Sequence, residues 1–222
     1  MALLDRSSHT VVKSPHEEKN EAAIDVKRRI YERFSENGEH RGLLHYYGPY
    51  ESGIRLEFAC NNTLSSFIVK GDFPLDVESL RLRWAKQVTD ALCFVHGKYV
   101  IHGDLTCDNI FLDKHLNAKL ADFGGSSIDE SPLLVQVIAS HRYLGPLLSV
   151  QGDIFALSST LYEIMTRAIP YHELSEEEIE VRYSKRNFPE TKSLGSVGGI
   201  IMGCWQGQYY CVNSIVTDME GM

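Results

Sequence analysis

The chain has 222 residues, enough to bury a sizeable core as one large domain or as one full lobe with part of another. Its 43% hydrophobic and 23% charged residues suit a globular protein, and a formal charge of −8 argues against a nucleic-acid partner, which needs a basic face. The longest apolar runs break within a few residues, so no membrane partner is expected, and Met1–Arg6 is too short in apolar residues for a signal peptide.

Thr10–Lys13 reads as a short strand, ended by Ser14-Pro15. Glu17 to Glu36 reads as a helix with Ala23, Val26, Ile30 and Phe34 on one face, closed by Asn37-Gly38. Two further strands are expected at Leu43–Tyr47 and Ile54–Ala59. From Asp76 to about His96 a long helix places Leu80, Trp84, Val88, Leu92 and Val95 at helical spacing. Asn109–Asp113 and Ala118–Asp122 form a hairpin across residues 114–117, and Asp153–Thr166 is an apolar helix buried on most sides. Ser175 and Glu178 have the spacing of a capping box, so a short helix starts there. The five cysteines, Cys60, Cys93, Cys107, Cys204 and Cys211, show no C-x-x-C spacing. They suit reduced thiols in the cytoplasm or nucleus.

The chemistry is concentrated between Ile101 and Gly124. His102-Gly103-Asp104 is followed five positions after Asp104 by Asn109, and eighteen positions after Asp104 by Asp122-Phe123-Gly124. In this order, across a hairpin, the string resembles the catalytic loop and metal-binding motif of eukaryotic protein kinases. The wording around Asp-Phe-Gly-Gly-Ser-Ser and Asp-Ile-Phe-Ala-Leu is similar to a group of fungal protein-kinase-like proteins. Ala139–Pro146 looks like the end of an activation segment, and Cys204-Trp205 like a pair near the end of many kinase domains. The resemblance covers about residues 10 to 220.

The resemblance implies an α+β, two-lobed protein-kinase-like fold. Residues 1–59 would be a partial N-terminal lobe with an incomplete sheet, and residues 60–222 a mainly helical C-terminal lobe. It implies ATP and Mg²⁺ as ligands, with a protein substrate or partner. Phosphoryl transfer is mainly positioning and charge neutralisation, and a carboxylate and an amide oxygen suit a hard cation. Asp122 and Asn109 would hold the metal, and Asp104 would accept or orient the proton of the attacking hydroxyl. Lys13 would meet the α/β-phosphates, and Leu56, Glu57 and Ala59, in the interlobe hinge, would face adenine. Asp153 would tie down the catalytic-loop backbone. It also suits a helix N-cap, and both roles can hold together.

Several positions depart from the pattern. No glycine precedes Gly38, so the Gly-rich loop and most of the strand after it are expected to be absent, which would weaken nucleotide binding and leave an unprotected sheet edge. Lys27 stands where the family's helix carries a glutamate that pairs with the strand lysine, so it would face and repel Lys13. Neither Asp25 nor Glu32 shares its helix face. Gly103 replaces an arginine that reads activation-segment phosphates, Thr106 replaces a γ-phosphate lysine, and Leu147 replaces a glutamate whose arginine partner is also missing. Ser140 takes the place of the substrate-side threonine.

Three readings follow. The first is a protein serine/threonine kinase. The second is a catalytically impaired pseudokinase or scaffold that retains ATP·Mg²⁺ binding. The third is a small-molecule phosphotransferase, because aminoglycoside and choline kinases share His-Gly-Asp-x-x-x-x-Asn. Asp-Phe-Gly and the Arg142–Pro146 run favour the protein-kinase branch.

Overall fold

A computed structural model describes residues 2–5, 8–15, 21–36, 38–71 and 76–222. The N-terminal part is a four-stranded antiparallel sheet, in spatial order residues 2–5, 10–13, 53–57 and 46–50, with one helix against it. Strand β1 spans Ala2–Asp5 and pairs along the whole of β2, Thr10–Lys13. The edge expected at β2 is therefore covered by β1, whose Ala-Leu-Leu-Asp sequence has no strand-like alternation.

Helix α1 spans Glu21–Glu36, and the expected start at Glu17 lies outside the described residues. Its buried face is Lys27, Ile30, Tyr31 and Phe34, whereas Ala23 and Val26 are only half-buried. Strands β3 (Tyr46–Tyr50) and β4 (Gly53–Glu57) form a hairpin that turns at Glu51, where φ is +50°. Both sit away from the expected bounds. Leu43 and Leu44 are drawn into the common core, and Gly42 O accepts from Leu120 N at 2.7 Å, so the strand begins only at Tyr46. At the other end, β4 stops at Glu57, just before Phe58 N donates to His9 O beyond the start of β2.

The larger part is helical. Helix α2 (Leu64–Lys70) is capped by Thr63 and closed by Gly71 at φ +73°. Helix α3 (Val77–Gly97) is capped by Asp76 and buries Leu80, Trp84, Val88, Leu92 and Val95, the face its periodicity predicts. The Trp84 indole N–H donates to Leu116 O at 2.8 Å, which fixes the turn of the following hairpin against α3.

Between them, β5 (Val100–Ile101) leads into the loop 102–109, followed by β6 (Ile110–Leu112), β7 (Ala118–Leu120) and β8 (Ser127–Ile128). Strands β6 and β7 pair Ile110 with Leu120, and β8 returns to pair with β5. Asp113 sets the hairpin turn by accepting from the backbone N–H of His115 and Asn117.

Helix α4 (Val150–Thr166) is almost wholly buried. Helices α5 (Glu176–Ser184), α6 (Gly195–Trp205) and α7 (Val212–Glu220) complete the lobe, and the capping box of Ser175 and Glu178 is present. No helix among the described residues is long and apolar enough to cross a membrane.

The N-cap of α4 is Ser149, which accepts from Gly152 N. Asp153 is thereby left for another task. Its two oxygens accept from His102 N at 2.7 Å and Gly103 N at 2.8 Å, and His96 Nε2 lies 2.8 Å away. Thr160, two turns along the same helix, donates to Leu105 O. Helix α4 thus holds the 102–109 loop from beneath.

Burial alone would raise the Asp153 pKa, but the bond to His96 and the backbone donors hold it below the usual carboxylate range. A depressed carboxyl pKa contributes stability above its ordinary value, and that contribution is lost as pH falls through the folded value. Asp153→Ala, which strands two buried N–H groups, is expected to cost about 3–5 kcal/mol at pH 7. The gap to wild type should narrow below the ordinary carboxylate range. Urea unfolding at both pH values checks this, and a pH-independent gap would refute the assignment.

Candidate active site

The site lies where α1, β2 and the loops after β5 and β7 converge. Asp122 follows β7 in a left-handed conformation, φ +63° and ψ +59°. This turn sends its carboxylate and the neighbouring Phe123 ring in opposite directions. The ring is fully buried and packs edge-on against Tyr31, Phe34 and His102, with centroids 5.4, 5.3 and 5.0 Å away. The carboxylate faces two ammonium groups. Lys13 Nζ donates to Oδ2 at 3.2 Å, and Lys27 Nζ donates to Oδ1 at 2.7 Å.

Lys27 reaches this position because the aromatic face of α1 docks on Phe123, which aims position 27 at the turn. Gly124 makes the room. A Cβ there would lie 3.3 Å from Lys27 Cε and 3.4 Å from its Nζ. The expected repulsion between Lys27 and Lys13 is real, but Asp122 stands between them. Burial lowers the Lys27 pKa most, the Lys13 charge lowers it further, and Asp122 opposes both. Burial alone would raise Asp122, yet the charges of Lys27 and Lys13 hold it well below the usual carboxylate range.

Asp104 and Asn109 form a second group on the loop below. The Asn109 amide nitrogen donates to Asp104 Oδ2 and to Asp104 O, both at 2.8 Å, which leaves its amide oxygen for another partner. Burial raises the Asp104 pKa, and the bond from Asn109 pulls it part of the way back. His102 is locked as a donor from Nε2. Its Nδ1 accepts from Asp104 N, and its Nε2 meets Ala121 O at 2.9 Å.

Leu56, Glu57 and Ala59 come to the crossing between the two parts of the molecule. Leu56 is buried and paired with Val11, Ala59 is buried, and the Glu57 carboxylate lies 3.5 Å from Lys119 Nζ. Ser140 is buried, with its hydroxyl 3.0 Å from His141 Nδ1.

Two replaced positions have structural explanations. Gly103 sits at φ +75°, and a Cβ there would meet Leu133 Cδ2 at 2.5 Å, so Leu133 occupies the space an arginine stem would need. Near Leu147, the Gln151 amide donates to Tyr209 O at 2.8 Å, a neutral link between the segments that an ion pair would otherwise join.

Asp122 and Asn109 offer oxygens of the kind a hard cation takes. The charge balance does not fit one, because both Asp122 oxygens already hold ammonium groups. Among the described residues, no group of three or more His, Cys, Asp and Glu side chains is placed to hold a metal ion. The spacing places Lys27 opposite Lys13 but carries no sign of its bond to Asp122, which depends on how α1 docks on Phe123.

Residues 8–197 match the protein kinase domain family. A probable serine/threonine-protein kinase of Dictyostelium discoideum is 34% identical over 55% of this chain and 20% of its own length. Serine/threonine-protein kinase PDK1 of Cryptococcus neoformans is 31% identical over 60% of this chain and 12% of its own. Mitogen-activated protein kinase kinase kinase 1 of Arabidopsis thaliana is 27% identical over 68% of this chain and 27% of its own. The chain therefore spans about a quarter or less of these relatives, and the likeness is not confined to fungi.

Two cations on one carboxylate make opposite stability effects expected. Lys27→Met leaves a matched Lys13–Asp122 pair and should gain about 1 kcal/mol. Asp122→Ala strands both ammoniums and should lose about 3 kcal/mol, the low end for a buried pair because its side chain is 39% exposed. Chemical denaturation of both variants tests this, and a loss in Lys27→Met would contradict it.

Proposed function

Because this chain belongs to the protein kinase domain family, we propose that it is a kinase-like domain that binds ATP and carries out little phosphoryl transfer. The nucleotide would lie between the Leu56–Ala59 crossing and the Lys13–Asp122 group. Lys13 and Lys27 would contact its phosphates, and Asp104 would face an incoming hydroxyl. A protein substrate or partner follows from the serine/threonine kinases it resembles.

The observation that carries the reading is the Lys27–Asp122 bond at 2.7 Å. In the family pattern, a glutamate at position 27 would take up the Lys13 ammonium and leave Asp122 free. Here the helix contributes a cation, and Asp122 is neutralised by protein. The Asp104–Asn109 pair keeps its geometry, so the proton-handling part of the site persists while charge handling at the phosphates has changed. Catalysis of this transfer is chiefly electrostatic, so that change falls on the part which sets the rate.

Transfer from radiolabelled ATP to a generic protein substrate, with magnesium present, tests the reading. Wild type should remain near background, and Lys27→Glu should raise the rate by at least about ten-fold, equivalent to about 1.4 kcal/mol. Asp104→Ala in the Lys27→Glu background should remove the gain. Robust wild-type transfer abolished by Asp104→Ala would establish instead a working kinase.

A further inference from the structure

We infer that Lys13 and Lys27 form a phosphate clasp that binds the polyphosphate of a nucleoside triphosphate without a divalent cation. The inference rests on the nucleotide-binding reading above and specifies how that binding is achieved.

A polyphosphate needs positive countercharge, which a metal or protein ammonium groups can supply. Two ammoniums here share a single carboxylate, so the group carries a surplus of positive charge. They come from different elements, Lys13 from the end of β2 and Lys27 from α1, and converge on one carboxylate. Each ammonium has three N–H donors, and the Asp122 carboxylate takes one from each.

The clasp is also held in place. The Lys27 stem is buried, and Gly124 packs against its tip. Lys13 lies over the Phe111 ring, 5.9 Å from its centroid. The side open to solvent is the carboxylate, whose side chain is 39% exposed against 16% for Lys13 and 8% for Lys27. Phosphate oxygens arriving there can compete with Asp122 for the donors it holds.

A divalent cation has the opposite experience. To reach Asp122 it must displace two ammoniums or bring further positive charge against them. Magnesium should therefore leave nucleotide affinity unchanged or lower it.

Calorimetric titration of the full chain with ATP, in EDTA and in excess magnesium, decides the matter. Binding in EDTA is expected to be at least as tight as in magnesium. Lys27→Met should lose at least ten-fold in EDTA, Lys27→Arg should retain the affinity, and Lys27→Glu should bind only with magnesium. Inorganic tripolyphosphate should compete in EDTA, and ligand-free thermal melts confirm that each variant folds.

Wild-type binding that appears only with magnesium, with Lys27→Met unaffected, would overturn the clasp and leave the kinase-like nucleotide-binding reading standing. Absence of ATP binding under both conditions would overturn both.

Discussion

Asp122 joins three parts of the chain that are far apart in sequence: β2 through Lys13, α1 through Lys27, and the turn after β7 that carries it. The left-handed backbone at this residue costs about 1–3 kcal/mol. Burial of the Phe123 ring, which the same turn directs into the core, offsets this by about 1.5–3 kcal/mol. The strained turn is held because its two side chains do different jobs in opposite directions. Tyr31 and Phe34 on α1 pack against that ring, so the pose of α1, and with it the aim of Lys27, is set by the same contact.

The molecule contains a second carboxylate that shows what a purely structural role looks like. Asp153 is buried, and the two N–H groups it accepts come from the backbone of a single loop. Such an arrangement is closed, with the lone pairs satisfied and no approach for a ligand. Asp122 differs in both respects, since its partners are charged side chains from two separate elements and its own side chain is partly open to solvent. One carboxylate fixes the loop that carries Asp104 and Asn109, and the other faces the space that a ligand would enter.

Much of this was readable from residue spacing. The face of α3, the capping box before α5 and the β6–β7 hairpin announced themselves because periodicity, caps and turn chemistry agreed locally. Strand β1 did not, because Ala2–Asp5 shows neither alternation of apolar and polar residues nor a β-branched run. Helix α6 was hidden by its glycines. Gly198 is there because a Cβ would fall 1.9 Å from Thr191 O, a tertiary reason that reads locally as a helix breaker. Helix α7 had a pattern, with Val212, Ile215 and Met219 buried, but it is only nine residues long. At the site, the structure brings Lys13 against Asp122 and Asn109 against Asp104, four residues that the resemblance singles out. The convergence of Lys27 on Asp122 could not be read in the same way, because it depends on how α1 docks rather than on either local segment.

The replaced positions make sense together as a movement of charge. Thr106 stands where the resemblance places a lysine for the terminal phosphate, and Lys27 stands where it places a glutamate. Relative to that pattern, positive charge is missing from the loop beside Asp104 and present at the Lys13–Asp122 group. Charge beside the terminal phosphate grows in importance as the bond to it breaks. Charge along the inner phosphates acts almost equally before and during transfer. Interactions of the second kind hold a ligand without lowering the barrier between bound state and transition state. On the proposed reading, a site altered in this direction would gain in retention what it loses in turnover, with the Asp104–Asn109 pair intact beneath it.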